Sequence, residues 1–160
     1  MDTLEGGSGS GIVASVAGVQ VGLVTWLREA DGRSAEVRAL AIAEDQRGRG
    51  VGRALLDAAV AELHAAGVRR AWLATTNDNL AALALYQKAG WRLSALHPGA
   101  ITVARRTIKP EIPEIGDHGI PIRDELELEL HLSEPAPPAD GTPRRSPPDR
   151  PTDARRGGDR

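Results

Sequence analysis

The spacing of apolar positions changes along the chain and predicts strands first and helices later. Near the start, short apolar or alternating segments follow one another, with turn residues such as Gly18 and Asp31-Gly32 between them. Alternation of this kind places successive side chains on opposite faces of a strand. We therefore predict an antiparallel meander of three strands. The three segments are residues 12–17, 19–27 and 34–43.

The third of these segments, residues 34–43, carries polar side chains, and the face of the strand on which each one lies bears on its possible function. Strict alternation divides its side chains between two faces of the strand. One face is predicted to hold Glu36, Arg38, Leu40 and Ile42. The other is predicted to hold Ala35, Val37, Ala39 and Ala41.

From residue 50 the apolar period lengthens to that of a helix. Apolar residues recur every four positions through residues 50–66, and Gly67 follows as a helix-ending residue. Residues 68–75 then predict a buried strand, and residues 79–89 predict a second helix with Asn77 or Asp78 as its cap. Residues 91–96 predict another strand. The strand at residues 34–43, a glycine turn, the helix at residues 50–66 and the strand at residues 68–75 imply a parallel pair with a right-handed crossover. The predicted fold class is α/β (α+β), with helices packed on a mixed sheet.

The remaining segments set the domain boundaries. Residues 100–109 predict a short helix, and residues 121–132 alternate leucine with glutamate, which is typical of a half-exposed strand with an acidic outer face. Residues 133–160 hold seven of the eleven prolines and few apolar residues, so we expect a disordered tail. Residues 1–10 are expected to be a flexible lead-in, which leaves residues 11–132 as the domain.

Composition narrows the classes of function. The net charge of −2 gives no overall basic field, so neither nucleic acid nor an anionic membrane is expected as a partner. The chain has no cysteine, and we predict no metal site. The first residues lack the pattern of a signal peptide, and no apolar run is long enough to span a membrane. We therefore expect a cytoplasmic protein.

Candidate chemistry is concentrated in the nine residues 45–53, which read Asp-Gln-Arg-Gly-Arg-Gly-Val-Gly-Arg. Glycines that open a helix expose free N–H groups and the positive end of its dipole, which together favour a phosphate. The glycine spacing does not match the Gly-x-x-x-x-Gly-Lys-Ser/Thr loop of many nucleotide hydrolases. It also departs from the Gly-x-Gly-x-x-Gly of dinucleotide-binding folds, and three antiparallel strands precede it.

Two segments at a consistent separation resemble one known family. Residues 47–52, Arg-Gly-Arg-Gly-Val-Gly, are similar to the Arg/Gln-x-x-Gly-x-Gly/Ala loop of the GNAT superfamily of N-acetyltransferases. Residues 79–91 resemble that family's Asn…Ala…Leu-Tyr…Gly-Phe segment, with Trp91 in place of Phe. The resemblance extends over about residues 11 to 132. It implies an acetyltransferase fold that uses acetyl-CoA as co-substrate.

The resemblance also implies roles for individual residues. Pantetheine would pair with the backbone of the third strand, pyrophosphate would lie on the glycine loop, and Asn79 would either bind the pantetheine arm or cap its helix. Tyr86, the only tyrosine, would act as general acid, and Glu36 as general base or as a surface partner of an arginine. His97 and His64 are weaker candidates for the base. The implied cofactor-binding residues are Leu40, Ala41, Ile42, Arg47, Gly48, Arg49, Gly50, Val51, Gly52, Arg53 and Asn79.

One departure from the family leaves the function open between two classes. Family members carry a first strand and two helices ahead of the segment at residue 12, where this chain has eleven residues rich in glycine and serine. Those helices form much of the acceptor pocket. The leading hypothesis is an N-acetyltransferase that acts on an amine of a small molecule or a protein. The alternative is a non-catalytic acyl-CoA-binding or regulatory module, and a homodimer is an open expectation for either class.

Overall fold

The computed structural model describes residues 2–6 and 9–132, with side chains from residue 9 onward. They form one sheet in the order β1-β2-β3-β4-β5-β7-β6, in which β4 and β5 are parallel and every other neighbouring pair is antiparallel. The strands are β1 (Asp2–Gly6), β2 (Gly9–Val16), β3 (Val19–Arg28), β4 (Ser34–Ile42), β5 (Arg70–Thr76), β6 (Arg92–His97) and β7 (Glu125–His131). The α-helices are α1 (Val51–Ala65), α2 (Leu80–Lys88) and α3 (Ala100–Thr107). The predicted mixed α/β fold is confirmed.

The hydrophobic core lies between one face of this sheet and the helices α1 and α2. The four-residue spacing predicted for α1 is confirmed, because Leu55, Ala59 and Leu63 are fully buried against the sheet. Burial of a leucine side chain stabilises a fold by about 1.5–3 kcal/mol. We call this side of the sheet the helix face. The opposite side, the acidic face, carries the glutamates of β7.

The first residues differ from the prediction. A flexible lead-in over residues 1–10 is wrong for the described part, because Asp2–Gly6 forms β1 and β2 already begins at Gly9. β1 pairs with β2 through the backbone in a register from Asp2 with Val13 to Gly6 with Gly9. The pairing uses backbone hydrogen bonds, and a segment rich in glycine has few side chains whose alternation could predict a strand. The chain therefore has an edge strand ahead of β2, but only residues 7 and 8 separate the two strands, too few for a helix.

The acidic strand β7 differs from the prediction in where it begins, and its place in the sheet does not follow its order in the sequence. The predicted alternation of leucine and glutamate is confirmed for Glu125–His131, with Leu128 fully buried. The strand does not start at Pro121, which makes only an isolated bridge with Ile115, because proline has no N–H to donate to a ladder. β7 is inserted between β5 and β6, so its glutamates lie between these two strands on the acidic face.

Two expectations concern other parts of the chain. The disordered tail at residues 133–160 lies outside the described residues. Among the described helices, none has the length and apolar content needed to cross a membrane.

Candidate active site

The sheet opens between its two parallel strands. β4 and β5 pair only from Ser34 to Glu36 and from Arg70 to Trp72. Beyond these pairs, the described part of β4 continues to pair with β3, and β5 continues to pair with β7. The backbone of Leu40–Ile42 therefore faces a V-shaped gap on the side where β5 would otherwise lie. An extended ligand can add to such an unpaired strand edge through main-chain hydrogen bonds.

A β-bulge in β4 reverses the predicted direction of Glu36. Thr25 pairs with Ala39 and Trp26 pairs with Val37, so Arg38 has no partner on β3. One extra residue shifts the alternation of side chains. Ala35, Val37, Leu40 and Ile42 all pack on the helix-face core, whereas strict alternation had separated them.

Glu36 consequently lies on the acidic face, and its prediction on the side of Leu40 is wrong. Its side chain is 27% exposed and lies 3.7 Å from the Arg38 guanidinium, so the suggested arginine partner is present. An exposed pair of this kind contributes about 1 kcal/mol or less. The carboxylate therefore remains able to interact with another ligand on the acidic face.

The glycine loop connects the open end of β4 to α1. A short 3₁₀ turn at Glu44–Gln46 comes first, and Gly48 and Gly50 then adopt φ values of 74° and 85°. This left-handed region favours glycine. The N–H groups from Gly48 to Arg53 have no hydrogen-bond acceptor among the described residues, and Ala54 N–H is the first to bond, to Gly50 O at 3.0 Å.

The space in front of this loop suits an anion. A Cβ atom on Gly48 or Gly50 would meet no heavy atom within 4 Å. A Cβ on Gly52 would instead lie 3.3 Å from Leu85 Cδ2, so Gly52 allows the start of α1 to approach α2 closely. The sequence motif therefore combines two glycines that shape the loop with one that permits packing. Free N–H groups at a helix start form an anion site.

The three arginines of this segment divide into two groups. Arg47 and Arg49 are exposed beside the loop. Arg53 donates through Nε to both carboxylate oxygens of Asp57, at 2.9 and 2.8 Å, and through Nη1 to Lys88 O at 3.0 Å. Its guanidinium thus ties α1 to the end of α2. Its backbone N–H and its Nη2 remain for the predicted cofactor contact.

The corner between β5 and α2 uses its three polar residues differently from the prediction. Asn79 caps α2, because its Oδ1 accepts from Ala82 N at 3.3 Å while its Nδ2 donates to Thr75 Oγ1. Asn77 and Asp78 do not cap the helix. Asn77 accepts from the N–H groups of residues 123 and 124, and Asp78 accepts from Asp117 N, so both hold the loop that precedes β7. The contact of Asn79 with pantetheine stays a prediction.

Tyr86 lies on the helix face of the sheet. It is 8% exposed and belongs to the same core cluster as Leu40 and Ile42. Its ring centroid is 6.2 Å from that of Trp91. Burial raises the pKa of the Tyr86 phenol above its ordinary value of 10.0, so the hydroxyl keeps its proton at neutral pH.

The two histidines named as weaker candidates lie away from the gap. His97 ends β6 and its Nε2 is 2.9 Å from Glu127 Oε1. His64 lies near the far end of α1. His97, Glu125 and Glu127 are the only group among the described side chains that could hold a metal ion, with ligand atoms within 4.8 Å of one another. We interpret them as a hydrogen-bonded pair at the surface with a neighbouring carboxylate, and the prediction of no metal stays a prediction.

Sequence reasoning missed Trp72, which lies next to Glu36 in the last parallel pair of β4 and β5. The relevant signal was the alternation in β5, where Ala71 and Leu73 are buried and residue 72 must point to the other face. The pattern did not reveal its neighbours. These depend on β7 lying beside β5, which places Glu129 opposite Trp72.

The protein has a mixed α/β fold whose sheet splits between two parallel strands, with a candidate anion site at the glycine loop and a buried phenol on the helix face. The acetyltransferase (GNAT) family matches residues 2–91 of the chain. The uncharacterized protein YxbD of Bacillus subtilis (strain 168) is 44% identical over 113 residues, which are 70% of this chain and 67% of that protein. This chain belongs to the GNAT family of acetyltransferases.

Solved structures agree with this assignment. The IAA acetyltransferase from Bacillus cereus ATCC 14579 superposes with a TM-score of 0.69 at 30% identity, over 78% of this chain and 79% of that one. A Bacillus subtilis acetyltransferase in complex with CoA gives a TM-score of 0.70 at 25% identity, over 79% and 78% of the two chains. Among curated relatives the coverage is smaller, since the chain spans 67% of YxbD and 66% of the B. subtilis protein YdhI.

Proposed function

We propose that the protein is an N-acetyltransferase that transfers the acetyl group of acetyl-CoA to a primary amine of a small molecule or protein by direct attack. The supporting observation is that Glu36 lies on the acidic face in the last parallel pair of β4 and β5, whereas Tyr86 belongs to the core on the helix face. A base and an acid on different faces of the sheet can serve the attacking amine and the leaving sulfur separately. The bulge at Arg38 produces this arrangement.

The gap and the loop suit the donor. The Leu40–Ile42 backbone would pair with the pantetheine arm, and the N–H groups of residues 48–53 would hold the pyrophosphate, together with Arg47 and Arg49. One N–H of the Leu40–Ile42 backbone would donate to the thioester oxygen as it becomes an oxyanion. A donor in that role contributes about 10²–10³ to the rate.

The side chains would move two protons. Glu36 accepts a proton from the acceptor ammonium, directly or through water, and the free amine then attacks the thioester carbon. As the carbon–sulfur bond breaks, Tyr86 donates its proton to the departing sulfur. The new amide nitrogen releases its second proton, which restores the Tyr86 phenol through solvent. Each such proton transfer contributes about 10²–10⁴.

Thiol release from acetyl-CoA across a panel of primary amines tests this proposal. We expect amine-dependent turnover in the wild-type protein and a fall of about 10² or more in kcat for Tyr86→Phe, with coenzyme affinity retained. Glu36→Gln should lower turnover most at neutral pH, where the amine is protonated. Glu62→Gln, an exposed acid on α1, is the matched control and should behave as wild type. Equal background rates in all four proteins would contradict catalysis.

One observation favours the alternative of a non-catalytic acyl-CoA-binding or regulatory module. Only residues 7 and 8 connect β1 and β2, where the family resemblance implies two helices that build the acceptor pocket. Tight coenzyme binding without amine-dependent thiol release by the wild-type protein would support this alternative.

A further inference from the structure

The vertex of the V-shaped gap carries an aromatic ring on the acidic face. Glu36 and Trp72 are the last residues of β4 and β5 that pair before the strands separate. Trp26 and Trp91 are 5% and 2% exposed, whereas Trp72 is only half-buried. Trp72 is therefore the tryptophan whose ring a ligand on this face can reach.

Neighbouring side chains hold this ring in one orientation. Trp72 Nε1 donates a hydrogen bond of 2.6 Å to Glu29 Oε1. The Arg70 guanidinium lies 6.0 Å from the ring centroid, and its Nε bonds Glu129 Oε2 at 2.8 Å. A ring whose N–H is bonded and which has a cation on one side is already positioned before any ligand arrives.

Carboxylates outnumber arginines by one around the ring. Arg38 and Arg70 face the carboxylates of Glu29, Glu36 and Glu129, and Arg92 of β6 lies opposite Glu129. Glu127, in the next row of the acidic face, adds another carboxylate. Arg70 lowers the pKa of the Glu129 carboxyl, so this group is ionised at neutral pH. A ligand that approaches the vertex from this face meets a field that favours a cation.

We propose that Trp72 and Glu36 form the subsite for the acceptor's ammonium group, so that the acceptor is a primary alkylammonium whose carbon chain lies against the indole. This inference rests on the proposed function. The indole face attracts the cation and Glu36 neutralises it. Glu36 then takes its proton, and the free amine faces the thioester across the vertex. Trp72 acts as a specificity-determining residue and takes no part in proton transfer.

The steady-state test compares two substitutions at one position. Trp72→Leu removes the aromatic ring, whereas Trp72→Phe retains an aromatic face and loses only the bond to Glu29. With n-butylamine as acceptor, we expect KM to rise about 5- to 20-fold for Trp72→Leu and less than about 3-fold for Trp72→Phe. KM for acetyl-CoA should not change in either variant. An active wild-type protein whose Trp72→Leu variant keeps its amine KM would overturn the inference and leave the proposed function intact.

A binding experiment tests the same subsite without turnover. Tryptophan fluorescence of the full chain is titrated at pH 7 with n-butylammonium chloride and, as the uncharged control, with butan-1-ol. We expect a saturable change with the ammonium alone, and a loss of that change in Trp72→Leu. No saturable change in the wild-type protein, or the same change with butan-1-ol, would overturn the inference.

The fluorescence titration still tests the subsite if the protein acetylates no amine or if one variant does not fold. If no amine supports thiol release, the proposed function fails and fluorescence alone tests the subsite. If Trp72→Leu does not fold by circular dichroism, Glu36→Gln replaces it, and we expect at least about 5-fold weaker ammonium binding in that variant. Unchanged affinity in Glu36→Gln would overturn the inference.

Discussion

At the scale of single residues, Tyr86 combines burial with a proposed chemical role. The sequence motif predicts its role, but neither its pKa nor its neighbours follow from the motif. Those depend on the packing of α2 against the core, where Tyr86 is 8% exposed. Desolvation disfavours the phenolate, so the pKa of the phenol is raised.

Because Tyr86 is the only tyrosine, this shift can be measured directly. We expect absorbance at 295 nm to titrate with a midpoint above 10.0 in the native protein, and near 10 in denaturant. The folded state holds this proton more tightly than the unfolded state does. The free energy of unfolding should therefore fall as the pH rises above about 10. A native midpoint at or below the denatured one would contradict the burial of the hydroxyl.

The face of the sheet on which the Glu36 side chain lies could not be predicted from the sequence. Alternation along β4 assigned it to the side of Leu40, and the bulge at Arg38 reverses that assignment. A bulge leaves no mark in a pattern of apolar and polar residues, because it depends on the register with a neighbouring strand. The reversed direction is also the one that suits a base, since it places Glu36 and Tyr86 on opposite faces.

At the scale of elements, the glycine loop and α1 show how far a motif predicts structure. The start of the helix and the free N–H groups agree with the sequence prediction, and Gly48 and Gly50 have positive φ values. The three arginines could not be told apart from sequence. Arg53 differs from Arg47 and Arg49 because it pairs with Asp57 one turn further along α1 and because α2 brings the Lys88 carbonyl within reach.

This difference gives a paired prediction. Arg49→Ala should weaken coenzyme A binding by about 5- to 10-fold, because it removes a cation beside the anion site, and should leave stability unchanged. Arg53→Ala should lower the free energy of unfolding by up to about 1 kcal/mol, because it removes an exposed ion pair and a bond to α2. Calorimetric titration and urea unfolding of both variants check the pair. The reverse assignment, with Arg53 governing affinity and Arg49 governing stability, would contradict the observed contacts.

At the scale of the whole molecule, the sequence predicts the class of the fold but not the full order of the sheet. Three antiparallel strands followed by a strand-helix-strand unit were readable from turn residues and periodicity. The insertion of β7 between β5 and β6 was not, because pairing between segments distant in the chain depends on tertiary packing. The same insertion surrounds Trp72 with carboxylates, so the candidate acceptor subsite was also beyond sequence reasoning.

The donor side and the acceptor side of the molecule consequently differ in how they are built. The donor side consists of a split parallel pair, a glycine loop and a helix start, and each derives from a continuous segment with a recognisable pattern. The candidate acceptor side combines residues of β4, β5 and β7 on the acidic face, which only the order of the sheet brings together. The proposed acetyl transfer requires bound acetyl-CoA, and the proposed acceptor subsite rests on that function, so binding of the donor is the central claim.

A coenzyme A titration by calorimetry, comparing wild type with Gly50→Glu, tests that claim most directly. Glu at this position would place a carboxylate in the open space before the N–H groups and would strain a backbone at φ 85°. Gly18→Glu, at a turn with φ 80° and equally open space, is the matched control for strain. We predict at least about 10-fold weaker binding for Gly50→Glu alone. Unchanged affinity in Gly50→Glu would show that the loop is only a turn between β4 and α1.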